Sequence, residues 1–232
     1  MDFITVTQSL LEGFGITCLL FILTLILAIP LGLLISFGTM SKIAVIRKPF
    51  KVIVWVIRGV PLMLQLFIVY YLPGMLSSTG SNFWGKLDNI MYFEYGIEFG
   101  GPIIATLIAF VINYAAYFSE IFRGGIEAIP KGQYEAGQVL GLSKSQIFFK
   151  VVLMQVVKHI IPPMSNEIIT LVKDTALARV IGVIEIIKKA DLFASKALIW
   201  PLFYAGVFYL VFVGLLTLLF GWIEKKLSYY KV

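Results

Sequence analysis

Long apolar runs separated by short polar segments dominate this chain of 232 residues. A helix needs about 20 mostly apolar residues to cross a bilayer. Four stretches meet that requirement: 14–38, 52–73, 101–122 and 198–223. A fifth stretch, 160–182, is apolar but also contains charged residues, namely Glu167, Lys173, Asp174 and Arg179. The pattern therefore predicts a single all-α membrane domain over residues 1–232, with five transmembrane helices.

The composition supports a bilayer as the natural solvent. The chain is 59% hydrophobic and only 14% charged, whereas a soluble domain is about half apolar and about a quarter charged. The net charge of +6 does not indicate nucleic acid, because the sequence has no basic runs interleaved with aromatic residues on a polar background. The basic residues instead flank the apolar stretches, as topology signals do.

The distribution of Lys and Arg predicts the orientation in the membrane. With five spans, most of these residues fall on one side, in the 39–51 segment, the 123–159 segment and the C-terminal tail. Cytoplasmic loops are enriched in Lys and Arg, so the N-terminus is predicted outside and the C-terminus inside. A four-span alternative, in which 160–182 does not cross, would leave the basic C-terminal tail outside. We interpret 183–197, with Lys188, Lys189 and Lys196, as an amphipathic helix on the outer surface, and 74–100 as an outer hairpin or short interfacial helix.

Proline and glycine residues divide the inner segment 123–160 into short helical patterns. Pro130 and Gly132 precede a short helical pattern from Gln133 to Leu140, and Gly141 ends it. Ser143 and Gln146 then match a capping box at the start of the next helix. A short polar helix between two glycines suits docking into a groove of a partner protein, with Ala136 and Gly137 permitting close approach. From spacing alone, an ordinary connector between two spans remains the alternative.

Three stretches of the chain carry a family resemblance. They are EAGQVLGLSKSQIFFKVVLMQVVKHIIPPMSNEIITLVKDTAL (Glu135 to Leu177), AYFSEIFRGGIEAIPKGQ (Ala116 to Gln133) and RGVPLMLQLF (Arg58 to Phe67). Together they resemble the signature of ATP-binding-cassette (ABC) importer permeases, in particular the polar amino acid branch with its Glu-Ala-Ala coupling helix. The chain departs from that pattern at Gly137, where the second Ala is usual, at Met154 for a common Pro, and at Ala176 for a common Ser.

The resemblance implies a type I importer fold and a permease that imports a polar amino acid by alternating access. It also implies ATPase subunits docked on 127–146, a second permease chain, a solute-binding protein outside, and location in the bacterial inner membrane. The docking residues would be Glu135, Ala136, Gly137, Leu140 and Gly141. The permease itself would be no enzyme and would hold no cofactor, because ATP is bound by the partner subunits.

The sequence offers little other chemistry. Gly80 to Lys86 has the glycine spacing of a phosphate-binding loop, but Leu87 stands where Ser or Thr would bind Mg²⁺. His159 and Cys18 are the only residues of their types, so neither a His-rich nor a Cys-based metal site is expected. ATP hydrolysis must therefore come from a partner.

The charged fourth span supplies the candidate substrate site. Asn166, Thr170 and Lys173 follow helical spacing, as do Glu167, Thr170 and Asp174, so all five lie on one broad polar stripe. Ionisable residues inside a span are costly and mark substrate or ion pathways. A zwitterionic substrate would find acceptors for its ammonium group in Glu167 and Asp174, assisted by Asn166 and Thr170. The alternative is that these groups serve structure alone.

The start of the second span adds further candidates. Lys173 or Arg58 would bind the carboxylate of the substrate, and Pro61 can open the backbone because it removes a hydrogen bond. Gln65, one helical turn beyond Pro61, would face the cavity. Glu120 and Arg123, at i and i+3, are expected to pair with each other near the inner surface.

Two other functions are compatible with a charged membrane span. A secondary transporter would use Glu167 and Asp174 as proton or sodium sites and would run on an ion gradient without ATPase subunits. A membrane scaffold would tolerate neutralisation of the whole polar stripe. The secondary transporter leaves the 127–146 segment unexplained.

Overall fold

The computed structural model describes residues 2–76, 83–85 and 100–227, and within them every regular element is helical. In chain order, these residues include α1 (Phe3–Thr39), α2 (Ala44–Gly59), α3 (Leu62–Leu76), α4 (Gly101–Glu127), α5 (Lys131–Val139), α6 (Lys144–Ile147), α7 (Leu153–Asp174), α8 (Ile186–Ala194) and α9 (Trp200–Leu227). The predicted outer loop 74–100 and the glycine motif 80–86 lie largely outside the described residues.

Helices α1 and α4 form the centre of the fold. Small residues are buried along α1, including Gly13, Ala28 and Gly32, and α4 buries Ala105, Ala109, Ala115 and Ala116. Small side chains let helix backbones approach closely, which is the main source of packing energy between helices in lipid. The approach is closest near Gly32, where an added Cβ would lie 2.8 Å from the Cβ of Phe118 and 2.9 Å from the carbonyl oxygen of Ala115.

The second predicted span, 52–73, is not one helix. It is divided into α2 and α3, which meet at a bend of 105°. Val60 between them is extended, with φ −102° and ψ 131°, as expected for a residue that precedes a proline. Pro61 has no N–H with which to continue the helix. The predicted span is therefore opened at Pro61, and only the bent pair as a whole has the length and apolarity of a span.

The fourth predicted span, 160–182, is the C-terminal part of a much longer helical run. This run begins at Lys144 and ends at Ile181, and it includes a π-helical turn, Phe148–Val152, and a terminal 3₁₀ turn, Thr175–Ile181. The predicted capping box is confirmed at its start, where the Ser143 hydroxyl accepts from Gln146 N–H and the Gln146 side chain accepts from Ser143 N–H. The run ends at Gly182, which has φ 94°, a conformation that glycine adopts without steric cost.

Helix α8 corresponds to the amphipathic helix predicted over 183–197. Its N-cap, Glu185, is fully buried and accepts hydrogen bonds of 2.8 Å from the N–H groups of Ile187 and Lys188. Ion pairs of 2.9 Å join Lys189 to Glu12 of α1 and Arg179 to Asp191. These contacts attach α8 to the N-terminal half of α1 and to the 3₁₀ turn after α7.

Four helical runs of the described residues are long and apolar enough to cross a membrane: Phe3–Thr39, Gly101–Glu127, Lys144–Ile181 and Trp200–Leu227. The bent α2–α3 pair supplies a fifth. Apolar side chains on α9, such as Phe203 and Leu210, are exposed, as expected for a surface covered by lipid. The predicted all-α membrane fold is confirmed.

The close packing of α1 on α4 can be tested at Gly32. Gly32→Ala places a methyl group against Phe118 and the Ala115 carbonyl, and such overpacking costs about 1–3 kcal/mol. We expect a lower midpoint of thermal unfolding in detergent. The matched control is Gly15→Ala on the same helix, where an added Cβ meets nothing within 4 Å; it should leave the midpoint unchanged or raise it. Equal midpoints for the two variants would contradict this packing.

Candidate functional site

A polar cavity lies where the break between α2 and α3 faces α4 and α7. Its volume is about 440 Å³, within the range of roughly 300–1,000 Å³ that is usual for small-molecule sites. Its lining is formed by Arg58, Gly59, Val60, Pro61, Leu62, Asn113, Tyr114, Tyr117, Glu167, Thr170 and Asp174. In a chain that is otherwise strongly apolar, this is a concentration of polar groups at the depth of the spanning helices.

Two carboxylates of α7 face this cavity. Asp174 accepts a hydrogen bond of 2.7 Å from the Tyr114 hydroxyl of α4, which fixes the position of its carboxylate. Glu167 lies two helical turns earlier, on the same face of α7, and is half-buried. Among the described residues, no Lys or Arg side chain lies within ion-pair distance of either carboxylate. Both remain available to a cationic ligand.

The positive group of the cavity is the guanidinium of Arg58, at the end of α2. It lies 3.6 Å from a carboxylate oxygen of Glu120 and 5.1 Å from the centre of the Tyr117 ring. Glu120 also accepts two hydrogen bonds from Arg123, at 2.6 and 3.1 Å, so the predicted Glu120–Arg123 pair is confirmed. Glu120 is thus shared by two arginines, and Arg123 also pairs with Glu127 at 2.6 Å.

The structure brings together four of the seven residues predicted to bind substrate: Arg58, Glu167, Thr170 and Asp174. Asn166 and Lys173 are exposed elsewhere on α7 and do not line the cavity. Successive residues of an α-helix are rotated by about 100° around its axis. The side chains of Asn166 and Glu167 therefore point in different directions, and one cavity does not contact both. Thr170 lines the cavity while its hydroxyl donates to the Asn166 carbonyl of its own helix.

Gln65 lies in a different environment. It faces an almost wholly apolar recess between α2, α3 and α4, lined also by Val56, Ile68 and Ala109. Its side-chain amide donates to the backbone carbonyls of Ile57 and Val60, at 2.7 and 2.8 Å. The amide group is therefore engaged with the helix break itself.

Three lining residues of α4 did not enter the predicted site: Asn113, Tyr114 and Tyr117. Asn113 and Tyr114 mark a polar edge on an apolar helix, which is the signal that would have found them. Tyr117 lies one turn after Tyr114, on the same face. Because all three stand on a different span from the acidic stripe, only the tertiary packing of α4 on α7 brings them to it.

The predicted docking segment forms the separate helix α5, followed by a tight turn. Glu135 and Ala136 are exposed, and so are the apolar side chains of Val139 and Leu140, at 88% and 77%. Gly141 ends the segment with φ 72°. Gly137 is buried instead: an added Cβ there would lie 2.6 Å from Cγ1 of Ile147. The small size of Gly137 therefore allows α5 to pack on α6. The exposed face of the segment is formed by its neighbours Glu135, Ala136, Val139 and Leu140.

Broken spans whose ends line a polar cavity are typical of membrane transport proteins. The fold and the cavity together define a transport permease. The chain matches the family described as the binding-protein-dependent transport system inner membrane component over residues 28–229, and it belongs to that family. This confirms the resemblance seen in the sequence: the chain is a membrane permease subunit of an ABC importer and not itself an enzyme, and a separate subunit supplies the ATPase.

Similar proteins agree with this assignment. The chain is 37% identical to the L-cystine transport system permease protein TcyB of Bacillus subtilis, covering 94% of this chain and 86% of that protein. It is 36% identical to the arginine transport system permease protein ArtQ of the same organism, covering 94% and 92%. A solved structure titled as an amino acid ABC transporter with histidines matches with a TM-score of 0.76 and 28% identity, covering 97% of this chain and 99% of the other.

The packing of α5 on α6 can be tested at Gly137. Alanine is a better helix former than glycine by about 1 kcal/mol, but here its methyl group would collide with Ile147. We therefore expect Gly137→Ala to lower thermal stability, and the added substitution Ile147→Ala to recover part of the loss by removing the colliding atoms. Gly132→Ala, where an added Cβ meets nothing within 4 Å, is the control. A stabilised Gly137→Ala protein would contradict the buried position of Gly137.

Proposed function

We propose that this permease imports a polar amino acid by alternating access and that the cavity at the α2–α3 break is its substrate site. The observation that carries the proposal is the concentration of Arg58, Glu167 and Asp174 around one cavity in an apolar membrane domain. Ionisable groups are retained at such depth when they serve a pathway. The amino acids in the names of the similar permeases support this substrate class.

Each charged group has a counterpart on an amino acid. The carboxylates of Glu167 and Asp174 suit an ammonium group, and the Arg58 guanidinium suits a carboxylate, to which it can donate two parallel hydrogen bonds. Asn113 and Tyr117 line the cavity between these poles. Gly59, Val60 and Pro61, which follow Arg58 at the break, also line the cavity. Asn166, Lys173 and Gln65, which do not line it, are assigned no direct contact with substrate.

The balance of charge favours a cationic amino acid. The two carboxylates have no Lys or Arg within ion-pair distance among the described residues, whereas Arg58 is already 3.6 Å from Glu120. A substrate with a single ammonium group would compensate only one carboxylate. A substrate with a second cationic group would compensate both, and an acidic substrate would add to the negative charge. We therefore rank cationic amino acids above neutral ones, and neutral ones above acidic ones.

Uptake measurements test this ranking. In proteoliposomes with the permease pair, its ATPase and its binding protein, and with no ion gradient, ATP should drive uptake of a cationic amino acid. Glu167→Gln and Asp174→Asn should each raise the KM for that substrate by about tenfold, because a lost charge-assisted contact is worth roughly 1.5–3 kcal/mol. Uptake of a neutral amino acid should change less.

Asn166→Ala is the matched control for this measurement. It lies on α7 beside Glu167 but does not line the cavity, so its kinetics should equal those of the unmodified permease. Unchanged KM values in both carboxylate variants would reject the cavity as the substrate site. ATP-independent uptake driven by a proton or sodium gradient would instead support a secondary transporter.

We further propose that α5 and the turn at Gly141 form the docking element for the ATPase. Exposed leucine and valine side chains at the end of a short helix are the apolar anchors that a groove binds, and Val139 and Leu140 are among the most exposed apolar residues of the described chain. Glu135 and Ala136 complete the exposed face. Gly141, in its left-handed conformation, turns the chain so that α5 projects as a unit.

Co-purification with the ATPase tests the docking element. Leu140→Asp should abolish co-purification because it places a charge in an apolar contact, and Glu135→Arg should weaken it. Both variants should insert and unfold normally, since both side chains are exposed. The control is Ser145→Arg, an exposed position beyond the Gly141 turn. Normal co-purification of Leu140→Asp would assign the docking to another surface.

The remaining architecture follows from the same proposal. The Lys and Arg bias supports an outer N-terminus and a cytoplasmic C-terminus. The outer ends of the spans and α8 would then face the solute-binding protein, and α5 would face the cytoplasm. A second permease chain is expected because the described residues of this chain that line the cavity come from the α2–α3 pair, α4 and α7 alone, and a translocation path needs a further wall.

A further inference from the structure

The break between α2 and α3 takes the usual donors from the last carbonyls before Pro61, among them those of Ile57 and Val60. In a continuous helix, the carbonyl of Ile57 would accept from the N–H of residue 61, but Pro61 has none. The carbonyl of Val60 would accept from Leu64, whose N–H is instead directed to Pro61 at 3.0 Å. Unsatisfied carbonyls are costly inside a bilayer, where water does not replace the missing donors.

Gln65 supplies a donor to each of the carbonyls of Ile57 and Val60. Its Nε2 lies 2.7 Å from the Ile57 carbonyl oxygen and 2.8 Å from that of Val60. A side-chain amide carries two N–H groups on one nitrogen, so one residue can satisfy two acceptors. The spacing is local: the residue four positions after Pro61 lies one helical turn further along α3 and points back toward the break.

We propose that this contact, the Gln65 bridge, is the positioning element that holds the 105° bend between α2 and α3 and thereby orients Arg58 toward the cavity. The role of Arg58 in that statement rests on the proposed function. Arg58 immediately follows Ile57, one of the two bridged residues, so its backbone is fixed by the bridge. Its guanidinium then reaches Glu120 and the Tyr117 ring.

The chemistry of the bridge requires glutamine. Leucine has no donor, and glutamate would direct carboxylate oxygens at two carbonyl oxygens. Asparagine is shorter by one methylene group and would not span both acceptors. A direct contact of Gln65 with substrate, the role expected from the sequence, does not fit its place, because the recess that it lines is almost wholly apolar.

The bend can be measured without reference to transport. On a Cys18→Ala background, spin labels at Val45 of α2 and Met75 of α3, both more than 80% exposed, report the distance between the far ends of the two helices. We expect one narrow distance distribution in the unmodified bend. Gln65→Leu should broaden or shift it, and Gln65→Glu should do so at least as strongly. Gln8→Leu, at an exposed glutamine of α1, should leave it unchanged.

A second substitution separates the bridge from a general loss of stability. Pro61→Ala restores the N–H that Ile57 lacks, so the double variant Pro61→Ala/Gln65→Leu should regain a narrow distribution. Its KM for substrate should nevertheless stay raised, by about fivefold or more, because Arg58 is no longer held toward the cavity. If Gln65→Leu alone does not accumulate, restored accumulation of the double variant supports the bridge, and its absence overturns it.

The outcomes distinguish the two proposals. An unchanged distance distribution in Gln65→Leu overturns the bridge whatever the substrate is. A changed distribution together with unchanged KM values for every amino acid supports the bridge as the element that holds the bend but overturns its role in orienting Arg58 for substrate. The second result would support the Gln65 bridge and count against the proposed function of the cavity.

Discussion

Backbone hydrogen bonding is the constraint on which this structure depends. Inside a bilayer, every N–H and C=O group needs a partner within the protein, so a span can be broken only where the freed groups are satisfied. The chain breaks one span at Pro61 and satisfies two of the freed carbonyls, those of Ile57 and Val60, from within α3 through Gln65. This arrangement permits a sharp bend at membrane depth, and the open backbone of Gly59 and Val60 becomes part of a cavity wall.

The same apolar surroundings make the charges of the cavity informative. Arg58 and Arg123 share the carboxylate of Glu120, which lowers the cost of placing a guanidinium beside the cavity. Among the described residues, no Lys or Arg lies within ion-pair distance of Glu167 or Asp174, and Asp174 accepts a hydrogen bond from the Tyr114 hydroxyl. Under the function proposed above, an amino acid substrate brings the cationic group that these carboxylates lack within ion-pair distance.

The sequence predicts the helices well but not their angles. Spans appear in hydropathy because lipid demands long apolar helices, and the capping box at Ser143 is a local pattern. The bend is marked by Pro61, yet its angle depends on contacts that hydropathy does not show, namely those of Gln65 and the packing of α2 and α3 on α4. Likewise, the spacing of Glu167, Thr170 and Asp174 predicts one face of α7, while Asn166 and Lys173 fall outside the cavity because its width is set by neighbouring helices. Tyr117 lines the cavity only because α4 packs beside α7.

The position of Gly137 connects the exposed helix α5 to the cavity. Its contact with Ile147 joins α5 to a helical run that continues from Lys144 to Ile181 and carries both Glu167 and Asp174. Through this contact, α5 packs on the start of the run that carries the two carboxylates further along, beyond the π-helical turn and the pair Pro162 and Pro163. An alanine at position 137, as the family commonly has, would need a smaller neighbour than Ile147. Gly137 therefore allows the close contact with Ile147 that joins α5 to the start of this run.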